Sequence, residues 1–123
     1  MKGVFFMKPN PLSDPRISAI SQKVVKAAQD TLGDKLEKVI LFGSYARGDY
    51  DEESDVDLFV LADVPNEDTS EWRRNIRKCI PNLWDEHDLL VCVHVTSKSI
   101  FDRFFHVMPY YQNVVNEGVE LYA

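Results

Sequence analysis

Two aspartates two residues apart, Asp55 and Asp57, follow a glycine–serine pair, Gly43-Ser44, within the stretch LEKVILFGSYARGDYDEESDVDLFVLAD. The apolar run Val39-Ile40-Leu41-Phe42 stops at the glycine, as a buried strand stops at a turn. Gly43 lets the backbone approach a ligand closely, and Ser44 is placed to cap a short helix over Tyr45, Ala46 and Arg47. Free amides at such a helix start attract phosphate oxygens. Beyond an exposed acidic loop at Asp51, Glu52 and Glu53, a second run rich in strand formers extends from Asp55 to Ala62. Strand alternation puts Asp55, Asp57, Phe59 and Leu61 on one face and Val56, Leu58, Val60 and Ala62 on the other. The two carboxylates then lie side by side, roughly 7 Å apart along the strand.

Two anions so placed in an apolar strand repel each other and lose hydration unless a cation neutralises them. Magnesium suits the place, because it takes oxygen ligands, keeps several waters and is commonly held by one or two carboxylates together with substrate phosphates. An isolated Asp-x-Asp is more often a solvated strand end. The Gly-Ser turn and the apolar runs on both sides favour a metal–phosphate site instead. Gly43 and Gly48 also begin like a P-loop, but Asp49 and Tyr50 stand where that motif needs Lys and Ser or Thr. With no lysine to reach the terminal phosphates, the ATPase and GTPase readings fail.

Gly43-Ser44, ten residues, then Asp55-Val56-Asp57 resembles the signature of the DNA polymerase beta-like nucleotidyltransferase superfamily. The fuller form, Gly43-Ser44-Tyr45-Ala46-Arg47-Gly48 with Ser54-Asp55-Val56-Asp57-Leu58, is most similar to the minimal nucleotidyltransferases, small proteins often encoded beside a HEPN-domain toxin whose antitoxins they are. The strand at Asp88 to Val95 and the ending from Pro109-Tyr110-Tyr111 to Gly118-Val119-Glu120-Leu121-Tyr122 also look like that family. The resemblance implies a compact α/β (α+β) domain, a short mixed sheet of three or more strands flanked by helices. It further implies ATP as co-substrate, a pair of magnesium ions, and nucleotidyl transfer to a hydroxyl. By the same resemblance Asp55 and Asp57 are catalytic metal ligands, and a third carboxylate comes from a neighbouring strand. That position falls to Asp88, with Glu86 as its rival. Gly43 and Ser44 would hold the triphosphate. Arg47 is placed either to reach phosphate or to pair with the Asp51, Glu52, Glu53 run.

The expected partner, again by resemblance, is a HEPN toxin whose tyrosine hydroxyl receives AMP. A nucleotidyltransferase acting on a small molecule or a nucleic-acid end, and an antitoxin that works by binding alone, are the alternatives. Partner-dependence of ATP turnover separates the first; a clustered carboxylate set, which docking does not need, argues against the second.

The elements that must position these groups follow from patterning. The 123 residues suffice for one core: an arm over 1–11, with Pro9, Pro11 and a second candidate start at Met7, then a nucleotidyltransferase domain over 12–123. Ser13-Asp14-Pro15 starts a helix whose apolar face is Ile17, Ile20, Val24, Ala27 and Ala28, with Gly33 as its stop. A helix over 69–79 buries Trp72, Ile76 and Cys79 and turns Arg73, Arg74, Arg77 and Lys78 outward as a solvated or docking face. From Ser97 an amphipathic helix carries Ile100, Phe101, Phe104, Phe105 and Met108, breaks near Pro109, and is followed by a second piece ending at Gly118. The expected order is helix, strand, phosphate turn, strand, helix, strand, helical tail. Tyr110, Tyr111, Leu121 and Tyr122, where exposed, would form a partner surface.

Cys79 and Cys92 match no zinc or redox spacing and read as buried thiols. His87, His94 and His106 likewise lack a zinc pattern and read as ordinary side chains. A net charge of −6 disfavours general nucleic-acid binding. No apolar stretch has the length of a membrane span and 1–7 lacks the layout of a secretory signal, so a soluble cytoplasmic protein is expected.

Overall fold

The computed structural model describes residues 10–80 and 89–123. Helix α1, Pro15–Leu32, begins at the predicted proline. The Asp14 carboxylate caps it, accepting from the Arg16 amide at 2.9 Å, and the Arg16 guanidinium folds back onto the same carboxylate at 2.9 Å. That ion pair holds the Asp14 carboxyl below its ordinary value. Ile17, Ile20, Val24, Ala27 and Ala28 are all buried, the one-sided stripe expected of a helix laid on a sheet.

Strands β1 (Leu36–Phe42), β2 (Val56–Ala62), β3 (Val91–Ser97) and β4 (Val119–Tyr122) form one mixed sheet in the order β3-β2-β1-β4. The pairs β1–β2 and β1–β4 are antiparallel, and β2–β3 is parallel. A parallel pair needs a crossover, and the chain between β2 and β3 carries helix α3, Thr69–Lys78. The short helix α2, Ser44–Arg47, follows β1, while α4 (Lys98–Phe104) and α5 (Pro109–Glu117) lie between β3 and β4.

Strand alternation sorts the core in two, as predicted for β2. Val56, Leu58, Val60 and Ala62 join Val39, Leu41, α1 and Ile76 of α3 on one face. Phe59 and Leu61 face the other way with Ile40, Tyr111 and Val114, and Phe42, Phe101 and Phe105 close over them. Fully burying one such large apolar side chain contributes roughly 1.5–3 kcal/mol. This second cluster sits behind Asp57 on the same sheet face and anchors the strand end that carries it.

Three expectations need correction. Val119–Tyr122 is a strand on the open edge of β1, an element missing from the expected order, which ended in a helical tail stopping at Gly118. Gly118 permits the change of direction, because a Cβ there would run into the Val114 carbonyl and the Ile40 side chain. Arg73 and Arg77 are not a free solvated or docking face: Arg73 Nε donates to the Val93 carbonyl at 2.7 Å and Arg77 Nη1 to that of Val91. Four residues of helix and two of strand both span about 6 Å, so the two arginines match successive outward carbonyls of the edge strand. Arg74 and Lys78 are exposed. The two cysteines are free thiols as expected but are not buried: Cys79 is exposed and Cys92 half-buried. Of the expected apolar tail residues, Phe104 and Met108 are exposed and Tyr111 is buried. No helix among the described residues is long and apolar enough to cross a membrane.

Candidate active site

The site is built where β1 ends. Phe42, the last residue of β1, stands opposite Asp57 of β2, and Asp57 stands opposite Cys92 of β3, so three strands contribute one row. Gly43 follows with φ +79 and ψ −157, a backbone region that L side chains rarely adopt. A Cβ there would come within 2.7 Å of Asp57 Oδ2. The phosphate-type turn and the second aspartate, predicted separately, therefore touch. Gly43, not Ser44, is the cap residue of α2; its carbonyl accepts from the Ala46 and Arg47 amides at 3.1 and 3.0 Å, and Ser44 is the first helical residue.

Asp55 immediately precedes β2, and its Oδ2 lies 3.9 Å from Cys92 Sγ. Burial, followed by the charges of Asp55 and Asp57, pushes the Cys92 thiol up, so the sulfur is a neutral donor to Asp55 rather than a nucleophile. The Asp57 side chain keeps 29 % of its surface exposed. Its Oδ1 receives His94 Nε2 at 3.3 Å. Phe42 packs edge-on against the imidazole at 5.3 Å and against Tyr110 at 5.8 Å. Tyr110 is 38 % exposed, and burial, with the Asp57 charge second, raises its phenol to about 12. The aspartates are thus flanked by an aromatic wall of Phe42, Tyr110 and His94.

Arg47 does not pair with the Asp51, Glu52, Glu53 run. It binds Asp49 at 3.2 Å and Glu117 of α5 at 3.5 Å. The run is turned inward on itself: Asp51 Oδ1 accepts from the Glu53 amide and the Ser54 hydroxyl, which fixes the approach to Asp55. Asp88 and Glu86, the candidates for a third carboxylate, and His87 lie outside the described residues. Among the described residues no three metal-ligating side chains converge. Two solvent-open carboxylates on one face, with no lysine or arginine bonded to either among the described residues, are nonetheless a donor set that fits magnesium.

His94, Phe42 and Tyr110 were missed as site residues by sequence reasoning. For His94 the sequence showed only a polar residue inside an apolar strand; its approach to Asp57 depends on the β2–β3 register. Phe42 looks like any other core aromatic, and Tyr110 was expected only as part of a partner surface.

Residues 21–117 match the family model of the nucleotidyltransferase domain. The chain belongs to the nucleotidyltransferase domain family. Within it, the chain is 39 % identical over 105 residues to "Putative protein adenylyltransferase MJ0141" of Methanocaldococcus jannaschii, covering 85 % of this chain and 98 % of that one. It is 33 % identical over 101 residues to "Putative protein adenylyltransferase MJ0604" of the same organism, covering 82 % and 93 %. Among solved structures, a toxin–antitoxin with AMP-PNP superimposes at a TM-score of 0.51 with 26 % identity, over 84 % of this chain and 73 % of that one. A nucleotidyltransferase structure from Sulfolobus solfataricus shares the fold, at a TM-score of 0.53 and 22 % identity over 94 % and 89 %. The nucleotidyltransferase membership implied by the family resemblance is borne out, as is the small α/β domain with a mixed sheet.

Proposed function

We propose that this nucleotidyltransferase transfers AMP from ATP to a tyrosine hydroxyl of a HEPN-domain toxin and thereby acts as its antitoxin. The observation that carries the reading is the contact between turn and acid: Gly43 lies directly against Asp57, with Asp55 beside it at the same sheet end. A phosphate chain seated on the turn is then next to both carboxylates. The two archaeal relatives named for protein adenylylation and the toxin–antitoxin neighbour holding AMP-PNP support donor and partner class.

The triphosphate meets the Ser44 hydroxyl and the first amides of α2, ahead of the helical bonds that the Ala46 and Arg47 amides make. Asp55, Asp57 and Asp88 would hold magnesium, which would supply charge neutralisation for the triphosphate and the leaving pyrophosphate. Arg47 links the turn to α5 through Glu117 and is held on its own loop by Asp49, two pairs that a phosphate would have to compete with for it. The wall of Phe42 and Tyr110 gives an incoming tyrosine an aromatic surface beside the acids.

Incubation with labelled ATP, magnesium and the HEPN-domain partner, followed by intact-mass analysis, tests the reading. One or more AMP additions on partner tyrosines are expected. Transfer to a small molecule or nucleic-acid end regardless of partner, or neutralisation that survives Asp55→Asn with Asp57→Asn, contradicts it.

A further inference from the structure

We infer that His94 is a positioning residue for this site: it holds the Asp57 carboxylate by one oxygen so that the other stays aimed at the Gly43 turn. The inference rests on the nucleotidyl-transfer reading and adds to it a residue outside the acid set. His94 Nε2 lies 3.3 Å from Asp57 Oδ1, while Oδ2 of the same carboxylate is the atom facing Gly43. An ionised carboxylate only accepts, so Nε2 carries the proton and donates. The imidazole is itself held, because Phe42 packs edge-on at 5.3 Å and Phe42 in turn rests on Phe59, which is fully buried. A chain of packed rings thus runs from the apolar core to the functional acid.

The geometry matters because an aspartate side chain near a phosphate turn can rotate about two bonds. With Oδ1 engaged by His94, rotation that would withdraw Oδ2 from the turn breaks a hydrogen bond. Side chains that orient a metal-binding group through its second atom commonly change metal affinity or activity by about 10- to 100-fold when removed. Asp55 has a weaker hold, a thiol at 3.9 Å, so the His94 contact distinguishes the two carboxylates.

The test uses three readouts on the whole chain. In metal-free protein, the His94 ring N–H is expected as a downfield proton resonance that is lost or shifted in Asp57→Ala; a resonance unaffected by that change would overturn the inference. His94→Ala is expected to weaken manganese binding, read by electron paramagnetic resonance, and to lower kcat for AMP transfer about 10- to 100-fold with the KM for ATP little changed. His94→Gln, whose amide N–H reaches the Nε2 position, should restore most of both. Manganese affinity and kcat within twofold of wild type in a folded His94→Ala would also overturn it. If His94→Ala fails to fold, the wild-type resonance with Asp57→Ala and the His94→Gln measurements still decide. Absence of transfer by the wild type would count against the nucleotidyl-transfer reading alone, because the resonance and manganese measurements need no turnover.

Discussion

At the scale of single residues, Gly43 is the most constrained position in the site. It combines a positive φ with a missing Cβ that would sit 2.7 Å from Asp57 Oδ2. Gly43→Ala should therefore displace Asp57 and lower AMP transfer on the order of 100-fold, while backbone strain costs about 1–3 kcal/mol in thermal unfolding. Transfer at the wild-type rate in a folded Gly43→Ala would show that the turn and the acid act independently. Tyr110 makes a prediction at the alkaline end. Its folded value is raised from 10.0 to about 12, chiefly by burial, so the neutral phenol stabilises the fold fully below pH 10. That contribution is lost as pH rises from 10 towards about 12. Tyr110→Phe should flatten this part of the stability–pH curve, measured by denaturation at stepped pH. That a strand ends at Gly43 in a turn, and that Asp57 shares a strand face with Phe59 and Leu61, was legible because apolar runs and alternation mark strands and their ends. His94 was not, since its role depends on β2–β3 register, which one strand's residues do not encode.

At the scale of elements, the start of α1 and the edge of β3 carry the clearest consequences. Asp14 caps α1 through the Arg16 amide, and Asp14→Ala should cost about 1 kcal/mol. Its carboxyl is held below its ordinary value by Arg16, so its charged-state stabilisation is present above that ordinary value and fades as pH falls through the lowered folded one. Wild type and Asp14→Ala should therefore converge in stability under acid, as read by thermal melts between neutral and low pH. Arg73 and Arg77 cover the outward carbonyls of β3. Replacing both with alanine should expose a pairing edge and increase self-association, measured by sedimentation, with little change in helix content. An unchanged monomer fraction would show the edge to be protected by other means. The stripe of α1 was readable because a helix against a sheet has one apolar face. The arginines were not, since a side chain that reaches a backbone carbonyl leaves the same pattern as one in water. β4 was missed for a related reason: four residues after Gly118 are too few for a periodicity, and pairing with β1 decides their state.

At the scale of the whole molecule, one sheet separates two tasks. One face buries α1 and α3 against an aliphatic core, and the other carries the acids at its end with an aromatic cluster behind them. The net charge of −6 leaves the site in an acidic chain, which suits a metal–nucleotide complex better than a bare polyanion. Much of this was legible because motif and patterning agree: the turn follows a strand, and the acids start the next one. Sheet order was not, because it depends on which edges pair across distant parts of the chain. The most direct test of the account is single-turnover transfer from labelled ATP in the presence of magnesium and the partner. Wild type is compared with Asp55→Asn plus Asp57→Asn, each first shown to be folded by its thermal melt. AMP should appear on the partner with wild type and fall below detection with the double variant; transfer by the folded double variant at a rate near wild type would contradict the assignment of the site.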